Sequence, residues 1–177
     1  MKNPVLLLIL STILLWGCTP SEKQQELNTI AKLESILKAE KDVNKEKDSA
    51  EELISKSIAF AAKYPQDTVS ASLLFKAADV SRGLGLHNQA IQLWGRVNKE
   101  YPTHKTAPEA LFLQGFTYDQ GLNDATQAKK YYKFFQEKHP DHPLGKDVSL
   151  MLQQLTQDKT DLELIKEFKK KSQGELE

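Results

Sequence analysis

The chain has 177 residues, in which 24 Lys and Arg balance 24 Asp and Glu, and it contains one cysteine. A balanced charge excludes a nucleic-acid binder that works by basic excess, because phosphate neutralisation needs surplus Lys and Arg. It equally argues against broad binding to anionic lipid, and a lone thiol excludes an internal disulfide.

The amino terminus reads as a secretion signal. Lys2 supplies a short positive region, and residues 5–16 form an apolar run broken only by Ser11 and Thr12. That run is too short to span a bilayer, so it reads as a signal peptide over residues 1–17. Leu15-Trp16-Gly17-Cys18 resembles the bacterial lipobox, in which a small residue precedes a cysteine that is lipidated and becomes the new amino terminus. Cys18 is therefore the expected lipidation site, and acyl chains on it would hold the folded part to a membrane. The mature chain would keep 160 residues with 23 basic against 24 acidic side chains, enough for one domain with a sizeable core. Thr19 follows the cysteine where an inner-membrane lipoprotein would carry a retention aspartate, which favours the outer membrane.

Residues 18–26 read as a lipidated polar tether. Apolar residues then fall at helical spacing, at Leu27, Ile30, Leu33, Ile36 and Leu37. A charged break over residues 41–48 leads to a second helix, capped by Asp48 or Ser49 and carrying Leu53, Ile54, Ile58, Ala59 and Phe60. It stops at Tyr64-Pro65, because the residue before proline avoids the helical region. The stop then recurs: Tyr64-Pro65, Tyr101-Pro102 and His139-Pro140 lie 37 and 38 residues apart. Self-similarity at such a period marks a stacked array, and three repeats meet the rough minimum of ~3 for stability. The flanks read as degenerate units, with residues 27–41 and 49–64 as a first helix pair. Residues 143–157 and 161–172 read as a last pair, with a frayed tail over 173–177.

Within the array, Leu74, Ala78, Ala90, Trp94 and Pro102 have the spacing of the tetratricopeptide repeat. Leu111, Gly115, Tyr118, Ala128, Tyr132 and Pro140 follow it with one extra residue, placed in the turn at residues 121–124. On these residues the chain resembles the tetratricopeptide-repeat family. The resemblance implies an all-α, right-handed solenoid of about three hairpins over residues 27–172, with the best repeats at 66–102 and 103–140. Small residues at Ala78/Ala90 and Gly115/Ala128 would let paired helices approach, with Trp94 and Tyr132 filling the space beside them. Over roughly residues 50–156 the repeats resemble those of the lipoprotein of the outer-membrane barrel-assembly machine and of the periplasmic coordinator of the Tol–Pal system.

No nucleophile elbow, phosphate loop or dinucleotide motif is present, and the chain is expected to be neither an enzyme nor a holder of a metal or cofactor. His139-Pro140-Asp141-His142-Pro143 reads as a turn between repeats, and His87 and His104 as solvent-exposed turn residues. The resemblance implies binding in the concave groove lined by the first helix of each pair. Carried over, the groove positions are Ser72, Phe75, Asp79 and Arg82 in one unit and Glu109, Phe112, Phe116 and Asp119 in the next. Aromatic anchors dominate binding surfaces, so Phe75, Phe112 and Phe116 carry the expectation, with Asp79, Arg82 and Asp119 as polar partners. These positions lack the lysine and asparagine set of the carboxylate-clamp repeats. The expected function is a lipid-anchored envelope scaffold that binds protein partners; the alternative is a structural lipoprotein that self-associates through residues 27–41.

Overall fold

The computed structural model describes residues 21–39 and 46–174, so the expected signal peptide and the expected lipidation site Cys18 lie outside the described residues. Seven helices follow one another, with no strand among the described residues. They are α1 (Glu22–Ala39), α2 (Lys47–Lys63), α3 (Thr68–Gly83), α4 (His87–Glu100), α5 (Ala107–Phe116), α6 (Ala125–Lys138) and α7 (Gly145–Gly174). Each packs chiefly on its neighbours in the chain. Three hairpins stack in succession and α7 closes the end. No described helix is long and apolar enough to cross a membrane.

The recurrent stops have one conformation. Tyr64, Tyr101 and His139 end α2, α4 and α6 at φ/ψ of −125/60°, −133/55° and −135/57°. Each donates its backbone N–H to the carbonyl four residues back, in Phe60, Val97 and Phe135. Each of their carbonyls then accepts the N–H three residues on, in Asp67, His104 and His142. Those three residues share a further task. Asp67 Oδ1 accepts from Val69 N–H at 2.9 Å, His104 Nδ1 from Thr106 N–H at 3.3 Å, and His142 Nδ1 from Leu144 N–H at 3.2 Å. The two histidines thus stand where the first turn has an aspartate and accept the equivalent N–H, which belongs to the first turn of α3 in one case and to the residue just before α5 or α7 in the others.

The core follows the repeat. Ala78, Ala90 and Trp94 are fully buried, as are Ala128 and Tyr132. Gly115 lies so close to Tyr132 that an added Cβ would sit 2.8 Å from its ring. Between the two units, buried Gln114 donates from Nε2 to the Ile91 carbonyl at 2.9 Å and ties α5 to α4.

Four expectations are corrected. Residues 22–26 are helix, not tether: Ser21 Oγ accepts from Gln24 N–H at 3.2 Å and caps α1. Lys63 of α2 then pairs with Glu22 and Glu26, each at 2.7 Å, and Lys23 pairs with Asp67. The second helix begins at Lys47, before the expected Asp48 or Ser49 cap. The expected closing pair is one helix, α7, running through Gly174 of the expected frayed tail, because Asp158-Lys159-Thr160 contains no glycine or proline to break it. Finally, the extra residue of the second unit lies not only in the turn. Thr117–Gly121 form a π-helical turn, closed by Leu122 N–H donating to the Thr117 carbonyl at 3.0 Å. Equivalent residues are 37 apart up to Gly115 (Ala78 to Gly115) and 38 apart from Asn123 on (Gly85 to Asn123), and the π turn absorbs the added residue between them. Gly85 and Asn123 are themselves paired by conformation, with φ of 75° and 53°.

Candidate functional site

The groove positions lie on α3 and on α5 with its π extension, the first helices of the two best units. Phe75 is half-buried and packs against the core of its own unit, its ring centroid 6.5 Å from that of Trp94. Phe112 is half-buried among Phe116, Tyr132 and Phe135, at 5.9, 6.2 and 6.3 Å. Both rings are shared between interior and groove. Asp119 has an internal partner, since it accepts from the Tyr132 hydroxyl at 3.3 Å. Burial and the nearby Asp119 carboxylate together hold the Tyr132 phenol protonated well above its usual range.

Asp79, Arg82 and Glu109 come together across the boundary between units. Burial pushes the Asp79 carboxyl up to about 6; the Arg82 guanidinium opposes the shift and the Glu109 carboxylate adds to it. Ser72 is half-buried, while Arg82 and Glu109 are exposed.

Arg82 and Phe116 also meet. They line one open depression of about 130 Å³ with His87, Thr117, Gln120 and Gly121. None of the last four was singled out as a binding residue from sequence. His87 is not a solvent-exposed turn residue: it is half-buried, its ring lies against Gly121, and its Nδ1 is buried. His104 is likewise half-buried, because it caps its turn. The sequence signal for this corner was the change of repeat spacing between Gly115 and Asn123.

At the His139–Pro143 turn, His139 and His142 both pack on Phe135, with centroids 5.5 Å away in each case. Desolvation, with His142 and Lys138 nearby, lowers the His139 pKa. Among the described residues no three His, Cys, Asp or Glu side chains converge as a cation would require.

Residues 72–104 and 109–142 match the tetratricopeptide repeat family model. These two segments are similar to tetratricopeptide repeats. They correspond to α3–α4 and α5–α6, so the groove described above is the wall between two adjacent repeats. No curated protein matches the chain in sequence. Among solved structures, the chain is similar to the Hsp90 co-chaperone Cns1 from Saccharomyces cerevisiae, with a TM-score of 0.64 and 16% identity. The similarity covers 90% of this chain and 47% of that one, so the chain spans about half of that protein. At this identity the likeness is one of fold. Tetratricopeptide repeats imply protein partners, and stacked hairpins of this kind present a wall of first-helix side chains to them.

Proposed function

We propose that this protein is a lipid-anchored scaffold of the bacterial cell envelope that binds partner proteins through its repeat groove and does no catalysis. The observation that carries the binding half is the juxtaposition of Asp79 and Arg82 of one repeat with Glu109 and Phe116 of the next. Charged groups of both signs beside an aromatic edge suit a protein segment, with the aromatic as anchor and the charges setting register. The anchoring half is supported by the apolar run ending at Leu15-Trp16-Gly17-Cys18. With Thr19 next in line, the anchor is assigned to the outer membrane, facing the periplasm. The resemblance of the repeats to the barrel-assembly lipoprotein and the Tol–Pal coordinator makes an accessory role in such a complex the specific form of the proposal.

Self-association through the Leu27–Leu37 stripe is the less favoured reading. Ile30 is buried with Phe60 and Leu73, and Leu33 is buried too, so much of that stripe is already covered by the chain itself.

Metabolic labelling with a palmitate analogue, followed by membrane fractionation, tests the anchor. The parent chain is expected to carry label and sediment with the outer membrane. The Cys18→Ser variant is expected to lose both properties. An unlabelled parent chain in the soluble fraction would contradict the proposal.

A further inference from the structure

The three helix stops share one edge of the array with the start of α1. Lys23, near that start, pairs with Asp67 in the turn before α3, and Glu34, further along α1, pairs with Lys76 of α3 at 2.6 Å. α1 therefore runs parallel to α3. It runs antiparallel to α2, whose last residue, Lys63, pairs with Glu22 and Glu26. The alternation continues through the array. Gly121, at the end of the π turn, lies against His87 at the start of α4. Gln136, near the end of α6, donates to Ser149 near the start of α7 at 2.8 Å. The turns at residues 64–67, 101–106 and 139–144 thus line one edge, and those at 84–86 and 122–124 line the other.

Ser21, which caps α1, is three residues from Cys18, the expected lipid carrier. Three residues reach at most about 11 Å, one helix diameter. The opposite edge lies about 24 Å away along the 16 residues of α3. An array standing on that opposite edge would hold Cys18 out of a bilayer, although the exposed Leu86 and Leu122 are found there. The first turn of α1 adds no slack, because Lys63 and Asp67 hold Glu22, Lys23 and Glu26 in place. The other arrangement within reach lays the outer side of the first hairpin on the lipid. That side shows exposed Glu22, Gln25 and Thr29, which lose hydration there.

We infer that the array stands edge-on to the membrane, with the edge formed by the Tyr64, Tyr101 and His139 stops against the phospholipid surface. This orientation rests on the lipid-anchored reading and adds to it the surface that meets the lipid. Exposed Pro65, Val69, Pro102, Pro140 and Pro143 give that edge stiff apolar points of contact. Exposed charges of both signs lie along it, Lys105 and Lys146 as well as Asp141 and Asp147, so the short anchor and not an anionic lipid sets the orientation. Helices α3 and α5 then rise from the surface. Glu109 lies at the membrane end of the groove, and Phe116 is about 10 Å above it. A partner segment that crosses the groove is thereby held at a fixed height over the lipid, and α7, with its 30 residues, reaches about 45 Å outward.

The test uses the full mature chain, acylated in its native bacterium, with acylation verified by mass spectrometry. Lipidation consumes the one native cysteine, so a single introduced thiol takes a fluorophore alone. Gln66→Cys, Thr103→Cys and Asp141→Cys label the near edge, and Asn88→Cys and Leu122→Cys the far edge; all five positions are exposed. Each variant is bound to phosphatidylcholine vesicles, with and without phosphatidylglycerol, that carry a nitroxide on a fraction of the headgroups. Quenching is expected to be several-fold stronger at 66, 103 and 141 than at 88 and 122, with either lipid and at low or high salt. A flexible insert of about 12 Gly and Ser residues after Pro20, which spans about 20 Å, should remove the difference. Equal quenching at both edges, stronger quenching at 88 and 122, or a difference that survives the insert would overturn the orientation and leave an acylated scaffold standing. A parent chain without acyl mass would remove the anchor and the orientation together.

Discussion

Asp67, His104 and His142 show how one backbone requirement is met by two side-chain chemistries. Each lies three residues past a helix stop and accepts the N–H two residues further on. His142→Ala is expected to cost about 0.5–1.5 kcal/mol, the range for losing one such hydrogen bond, whereas His142→Asp should retain most of the stability. Urea denaturation of the two variants separates them, and equal losses would mean that the imidazole serves by packing on Phe135 alone. Asp79 supplies a pH dependence. Its carboxyl titrates near 3.8 when unfolded and about 6 when folded, so the folded state binds the proton more tightly between those values. Stability contributed by the protonated form is present below the lower value and is lost as pH rises through the higher one. Asp79→Asn is therefore expected to melt above the parent at neutral pH, with the gap closing by about pH 4. A gap that is the same at both pH values would contradict this origin.

At the scale of elements, close approach of paired helices rests on small residues. Gly115→Ala would force a Cβ against the Tyr132 ring and is expected to destabilise by about 1–3 kcal/mol, in spite of alanine's better helix propensity. A chemical-denaturation midpoint at or above the parent's would contradict the packing account. This contact was legible in the sequence, because Gly115, Ala128 and Tyr132 sit at repeat spacing and spacing determines which helix faces meet. The stops were legible too, since proline acts locally. The helical start of α1 was hidden because Ser21 and Gln24 sit in a polar stretch, and its anchoring depends on Lys63, 37 residues beyond Glu26. Lys63→Glu is expected to speed hydrogen exchange at residues 22–26 and leave the two central repeats protected. The unbroken α7 was missed for another reason: a charged stretch resembles a loop in periodicity, yet without glycine or proline nothing stops the helix.

For the whole molecule, the array was readable from sequence and the binding corner only in part. Arg82 and Phe116 were reached through the repeat pattern, but Thr117 and His87 were not. Their pairing depends on a π turn that sequence shows only as one residue too many between Gly115 and Asn123. Phe75 and Phe112 illustrate the opposite limit. The resemblance to the repeat family implies the groove side for both, while the neighbouring Trp94 and Tyr132 rings share each of them with the interior. On the proposed function, the wall between the two repeats is where a partner protein docks. The most direct test of this is in-cell photo-crosslinking in the native bacterium, with the reactive residue at Glu109 or Phe116 and, as control, at Lys133 on the exposed side of α6. A discrete crosslink to one envelope protein is expected from positions 109 and 116, absent from position 133 and lost in Arg82→Gln. Crosslinks only to a second copy of the chain, or the same products from all three positions, would contradict it.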